Sequence, residues 1–557
     1  MNATRKNLIE AAQGKRPCDL IIKNTKFLDV FTCTFRHGDV AIADGMIVGL
    51  EAGLKAKREI DGSRKTVVPG FIDAHVHVES SLLVPANFQK AVLPRGTTTA
   101  ICDPHELANV MGVEGIKYFL DASQTLAMDL RVMLSSCVPA THLETNGGGV
   151  IGAAALAPLR AHVRSLGLAE MMNVPGVLSG DSTIMDKLDA FEGAPIDGHC
   201  PLLSGQALSA YAAAGISSCH ESSELEEARE KLTKGISIWI REGSVAKDLD
   251  ALIPLLTLAT STSIGFCTDD RNPLDIAVEG HIDYLVRSAI KRGVPAEVAY
   301  RSASFTVARH YGLARTGAVA PGYVADLVLL DDVKTCAVST VIKQGVLTSE
   351  LAAPRIFGAN MKNTMRATVP DAADLEAPHG RVHVIGVQSG RILTDRHVMA
   401  HDAPGVKHLS VLERHGGKSR PSNAYALGFG EKLRGAIASS VGHDSHNLIV
   451  VGDRTSDMSV ALGALIASGG GFCVVQDGRV LSLLALPFGG LMSAEEPAHI
   501  EKALRELHKA SASIGCELPE PFLQLAFLSL PVIPSLKLTD KGLVDVDAFK
   551  IIDVRAS

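Results

Sequence analysis

From about residue 70 the chain alternates short apolar runs with amphipathic stretches at a regular beat. Eight runs read as strands: Phe71–Val78, Thr97–Asp103, Arg131–Pro139, Gly167–Met172, Ile196–His199, Ile216–His220, Ile236–Ile240 and Ser263–Thr268. Near-continuous apolar runs of this length fit strands buried on both faces of a parallel sheet. The segments between them, such as Glu224–Leu232 and Leu249–Thr260, carry helical character. Eight strand–helix units predict a (β/α)8 barrel over residues 68–318. A doubly wound sheet is the alternative, but it does not call for eight units of this regularity.

The flanks have a different beat. Before the barrel, β-rich runs at Asp19–Lys23, Asp39–Ala43 and Met46–Leu50 are punctuated by Asp-Gly and Gly turns. After it, Gly317–Leu330 returns to β character. Residues 1–67 with 319–350 are therefore expected to form one small β-sandwich domain. Residues 351–380 are irregular and read as a linker. From 381 to 557 strands and helices resume, enough for a C-terminal α/β domain. The expected fold class is thus α/β, a TIM-like (β/α)8 barrel with two appended units.

Composition narrows the function. A chain of 557 residues exceeds what one core supports. Net charge is −7 and only 4% of residues are aromatic, which argues against a nucleic-acid partner. The ten cysteines show no Cys-x-x-Cys pair, so neither a disulfide framework nor a cysteine zinc site is indicated. Met1–Lys15 is polar and no apolar run reaches the length of a membrane span. These features predict a cytoplasmic enzyme with no membrane partner.

In a barrel of this kind reactive side chains sit at the C-terminal ends of strands. His75 and His77 are two apart on the first strand, so they point to the same side. Glu170 is a lone carboxylate in the apolar fourth strand, and His199, His220 and Asp269 end or follow the fifth, sixth and eighth. Each has an ordinary reading: Glu170 as a core carboxylate paired with an arginine, each histidine as a hydrogen-bonded strand end. Together they form a nitrogen and oxygen set suited to one or two divalent ions. Five cysteines at or near strand ends (Cys102, Cys137, Cys200, Cys219 and Cys267) read chiefly as small space-fillers.

This set resembles the amidohydrolase superfamily, and within it the bacterial adenine deaminases. The motifs are Gly70–Ser81, Cys102-Asp103-Pro104-His105-Glu106, Ala169–Met172, Asp197–Cys200, Cys219–Ser222 and Thr268–Pro273. Two more lie outside the barrel, His443-Asp444-Ser445-His446-Asn447 and Leu486–Ser493. Where many amidohydrolases carry a carboxylated lysine, this chain has Glu170. The resemblance implies hydrolytic deamination of adenine to hypoxanthine and ammonia, a purine-salvage reaction. It implies a binuclear Mn(2+) or Fe(2+) centre held by His75, His77, Glu170, His199, His220 and Asp269, and association into a homo-oligomer, a dimer or larger.

In that chemistry a metal-activated hydroxide attacks C6 of adenine and Asp269 carries its proton to the departing amine. Glu170 bridges the metals. Glu221 is the first candidate for the acid that protonates a ring nitrogen; a salt-bridged loop residue is its other reading. His105, Glu106, Asp270, Arg271, His443 and His446 are candidates for substrate contact. Against that, His105 and Glu106 also suit the start of a helix, Asp270 and Arg271 a local ion pair, and His443 and His446 a metal site, a docking contact or a turn. Two rival functions are an amidohydrolase of the dihydropyrimidinase or dihydroorotase type, acting on a cyclic amide, and a non-catalytic barrel relative.

Overall fold

Parallel strands β1 (Phe71–Val76), β2 (Thr97–Cys102), β3 (Asp129–Leu134), β4 (Ser165–Met171) and β5 (Ile196–Gly198) pair in sequence order. Strands β6 (Ser218–Cys219), β7 (Ser237–Arg241) and β8 (Ile264–Cys267) continue the parallel run. Two seams close the ring. Ser217 N donates to Ile196 O (3.0 Å) between β5 and β6, and Asp269 N donates to His75 O (3.0 Å) between β8 and β1. The result is the eight-stranded barrel that the hydrophobic beat predicts. This computed structural model describes residues 4–358, 364–416 and 420–556. Positions 359–363 of the expected linker, 417–419 and 557 of the expected C-terminal domain, and 1–3 of the polar N-terminus lie outside the described residues.

One strand differs in extent. The apolar run at Arg131–Pro139 leaves the sheet after Leu134. The following residues turn across the barrel mouth, where Ser135 Oγ donates to Asp103 Oδ1 (2.8 Å) and Ser136 Oγ donates to Glu170 O (2.5 Å). The barrel interior is filled by Ile72, Ala74, Ile101, Met133, Ala169 and Trp239, so it is a packed core and only its mouth is available for chemistry.

Strands before and after the barrel share one sheet of eight strands. Thr66–Pro69 pairs antiparallel with Leu327–Asp332, and Ile47 N donates to Tyr323 O (2.9 Å), bringing the sheet edge round a common core with Ile22, Ile42, Val67 and Leu327. The C-terminal residues build a second eight-stranded sheet from Arg381–Val387 to Arg479–Ala485. Helices Thr455–Ser468 and Pro497–Ser513 pack on it. This unit docks on the barrel mouth through backbone pairing: Ser493 N donates to Leu82 O (2.8 Å) and Val84 N to Ser493 O (3.1 Å). Among the described residues no helix is long and apolar enough to cross a membrane. All ten cysteines are buried and free.

Candidate metal centre

The strand ends deliver the six expected donors to one spot. His75 lies within β1 and His77 just beyond it; Glu170 lies within β4; His199 and His220 follow β5 and β6 directly. Asp269 follows β8 with a positive φ of 53°, a conformation Asp tolerates better than most side chains. All six are buried.

Glu170 divides the set into two groups. Its Oε1 lies 3.3 Å from His77 Nε2 and 3.7 Å from His75 Nε2, while Asp269 Oδ1 stands 3.4 and 3.2 Å from the same His75 and His77 nitrogens. Its Oε2 lies 2.6 Å from His199 Nδ1 and 3.3 Å from His220 Nε2. One carboxylate therefore faces two separate donor clusters, one through each oxygen.

Hydrogen bonding fixes which nitrogen is free. His77 Nδ1 lies 3.0 Å from the carbonyl oxygen of Asp103. A carbonyl only accepts, so Nδ1 carries the proton and Nε2 presents a lone pair. That lone pair faces His75 Nε2 at 3.1 Å and the two carboxylate oxygens. A ring of nitrogen and oxygen donors at this spacing, all buried, fits a divalent cation.

Further support lies one layer out. Asp73 accepts from Thr268 Oγ1 (2.5 Å) and from Thr268 N (3.1 Å), and also from His75 N (3.3 Å), tying β1 to the end of β8. Arg241, at the end of β7, grips both oxygens of Glu221, donates to Asp248 Oδ2 (2.9 Å) and reaches Asp269 Oδ2 (3.0 Å). Burial alone raises the pKa of Glu221, but the Arg241 guanidinium, with His199 and His220 beside it, outweighs burial and leaves it lowered. The same opposition holds Asp269 well below the usual carboxylate range, through His75, His77, His220 and Arg241.

The centre opens into a cleft of about 470 Å³, part of it solvent. Its metal-side floor includes His77, Glu170, His199, His220 and Asp269. The opposite wall is apolar: Val245 from the barrel packs with Phe527, Leu530 and Ile533 from the C-terminal unit. Phe527 is stacked on the His443 ring (centroids 4.5 Å, 8° between planes). Polar donors on one side and a flat apolar wall on the other suit a small planar heterocycle.

Two models of known families match the chain, "Amidohydrolase family" over residues 66–348 and "Adenine deaminase C-terminal domain" over 389–550. A protein named adenine deaminase from Methylobacterium nodulans is 50% identical over 98% of both chains. Those so named from Sinorhizobium fredii and Cereibacter sphaeroides are each 47% identical, over 99% of this chain and 100% of theirs. The chain belongs to the adenine deaminase family. The residues matched by the C-terminal model contain Phe527, Leu530 and Ile533, so most of the apolar wall lies in the unit that this model covers.

The candidates for substrate contact divide. His105 and Asp270 line the cleft with His443; His105 sits 4.4 Å from the His77 ring, and Ser80 Oγ donates to Asp270 Oδ1 (2.5 Å). Glu106 and His446 lie behind that surface, 2.6 Å apart. Arg271 turns away from the cleft: its guanidinium donates to Gly280 O (3.0 Å), Glu242 O (2.9 Å) and Glu279 Oε2 (2.5 Å). Its role is to anchor the loop after β8. Arg241, which ends the run Ile238-Trp239-Ile240, carries no role in the sequence-based reading, although a charge closing an apolar strand is a signal of one.

Proposed function

We propose that the chain hydrolyses adenine to hypoxanthine and ammonia at a binuclear centre of Mn(2+) or Fe(2+). The observation that carries this is the two-sided Glu170 carboxylate, each oxygen facing its own histidine pair. His75, His77 and Asp269 with Glu170 Oε1 would hold one ion; His199 and His220 with Glu170 Oε2 would hold the other. A divalent ion held there supplies Lewis acidity and brings the pKa of a water toward neutrality.

The chain's own groups then manage protons and position. Asp269 accepts the proton of the attacking water at its carboxylate and delivers it to the departing amine, while Arg241 fixes its second oxygen. Glu221 serves the ring nitrogen. Held ionised by Arg241, it takes up one of the two protons of the attacking water and passes it to the ring nitrogen, while Asp269 carries the other to the amine. His105 and Asp270 position the polar edge of the base, and the Phe527 wall packs against its ring. Water that would compete for the amine is displaced by that wall.

A cyclic-amide substrate is disfavoured by the match to the family's C-terminal model and by glutamate in place of lysine at position 170. A non-catalytic role is disfavoured by the complete donor set. We further read the chain as four segments, residues 1–67 with 319–350, 68–318, 351–380 and 381–557, supported by the sheets they form. Free, buried cysteines support a cytoplasmic setting. Association of copies is supported by the edge strand Arg479–Ala485, which exposes Val480, Leu481 and Leu483.

The test is ammonia release from adenine by protein loaded with Mn(2+) or Fe(2+), with adenosine, guanine and hydantoin as controls. Release from adenine is expected. Opening of hydantoin without release from adenine would overturn the proposal.

A further inference from the structure

At one side of the cleft, where the C-terminal loop 443–447 meets the start of helix α1 (His105–Met111), a second group of buried donors converges. His443 Nδ1 lies 2.8 Å from Glu106 Oε1 and 3.4 Å from Asp444 Oδ1. His105 Nε2 lies 3.8 Å from Glu106 Oε1 and 3.7 Å from Asp444 Oδ1. Donors bound at about 2.1 Å in a tetrahedron are separated by about 3.4 Å, and these four separations bracket that value.

Proximity has not produced hydrogen bonds. Glu106 Oε1, Asp444 Oδ2 and His446 Nε2 have no directed hydrogen-bond partner although all are buried. Buried polar atoms are almost always paired, so several orphans in one place call for a missing partner. His105 is also oriented as a ligand: its Nδ1 faces Asp103 Oδ2 (3.0 Å), the carboxylate–histidine arrangement that leaves Nε2 free. His446 Nε2 stands 2.6 Å from Glu106 Oε2 and holds the other face of that carboxylate. With a divalent ion in place of the imidazole protons, the two carboxylates would balance its charge of +2, and the nitrogen donors select a transition metal over Mg(2+) or Ca(2+).

We propose that His105, Glu106, His443 and Asp444 form an accessory transition-metal site, distinct from the strand-end centre and completed only by docking of the C-terminal unit. None of its four donors is among the six of the strand-end centre, although His105 Nδ1 lies 3.4 Å from Glu170 Oε1, so the two sites adjoin. Its occupant fastens the loop carrying His443, and with it the Phe527 ring, against the barrel.

The experiment compares Mn(2+) content per chain, by plasma mass spectrometry, in the full-length protein and in Asp444→Asn and His443→Asn. Diffraction at the manganese edge is collected alongside. The wild type is expected to carry one Mn(2+) more than either variant, with an anomalous peak among Glu106, His443 and Asp444. His75→Asn, which removes a ligand of the strand-end centre, is expected to keep that peak, so the two sites fail separately. Equal Mn(2+) in wild type and variants, or no wild-type peak among these donors, overturns the proposal. Should the variants not fold, the wild-type map alone decides it.

Discussion

Arg241 grips both carboxylate oxygens of Glu221, and one of its nitrogens also lies 3.0 Å from Asp269 Oδ2. One cation thereby fixes the two carboxylates assigned to proton movement, with Asp248 as a third partner. Replacing Arg241 with Met removes the guanidinium that three buried carboxylates share. Loss of about 3–5 kcal/mol of stability is expected, measured by denaturant unfolding. Turnover falls with it, and Arg241→Lys restores charge but not the two-pronged grip.

Glu221→Gln keeps the shape of the side chain and removes its ability to carry a proton. Turnover of adenine is expected to drop by about 10²- to 10⁴-fold, with metal content unchanged because Glu221 lies outside the six-donor set. Turnover at the wild-type rate with full metal would remove Glu221 from the chemistry.

Phe527→Ala opens the apolar wall and removes the ring stacked on His443, without altering any of the six strand-end donors. The expected loss is about 1–3 kcal/mol of ring packing, a rise in KM of roughly ten- to a hundredfold. Steady-state kinetics with adenine at fixed metal loading check this, and an unchanged KM would place the base elsewhere in the cleft.

Lys537 is wholly buried, donates to the Ile392 carbonyl (3.0 Å) and forms no ion pair among the described residues. Burial pulls its pKa from 10.5 down to about 7. Between those values the unfolded chain holds the proton and the folded chain does not, so this group makes stability rise with pH across about 7 to 10.5. Below 7 both states are protonated and the full cost of the buried charge applies. Lys537→Met is expected to stabilise the fold at pH 7 by a few kcal/mol and to flatten that rise, as read from melts at several pH values.

Much of the barrel and its ligands was legible because both rest on local pattern. Apolar runs give strands, the strands give a barrel, and barrel geometry sends their ends to one mouth. His75, Glu170 and Asp269 could be picked out from that alone. Arg241 was missed because the run it ends was read as stopping at Ile240; a lone charge closing an apolar strand was the available signal. Phe527, Leu530 and Ile533 left no such signal, since nothing in a short apolar stretch near the C-terminus says which distant surface it covers. The tautomer of His77 depends on a backbone carbonyl at Asp103, which no side-chain pattern encodes.

The seam between β1 and β8 also orders events in time. During synthesis His75 leaves the ribosome early, Asp269 only after all eight strands, and Phe527 close to the end. The hydrogen bond from Asp269 N to His75 O therefore joins the first strand to the loop after the last, and the ring of donors is whole only once they meet. A chain that stops before Asp269 lacks both that donor and the seam, so it cannot complete the ring.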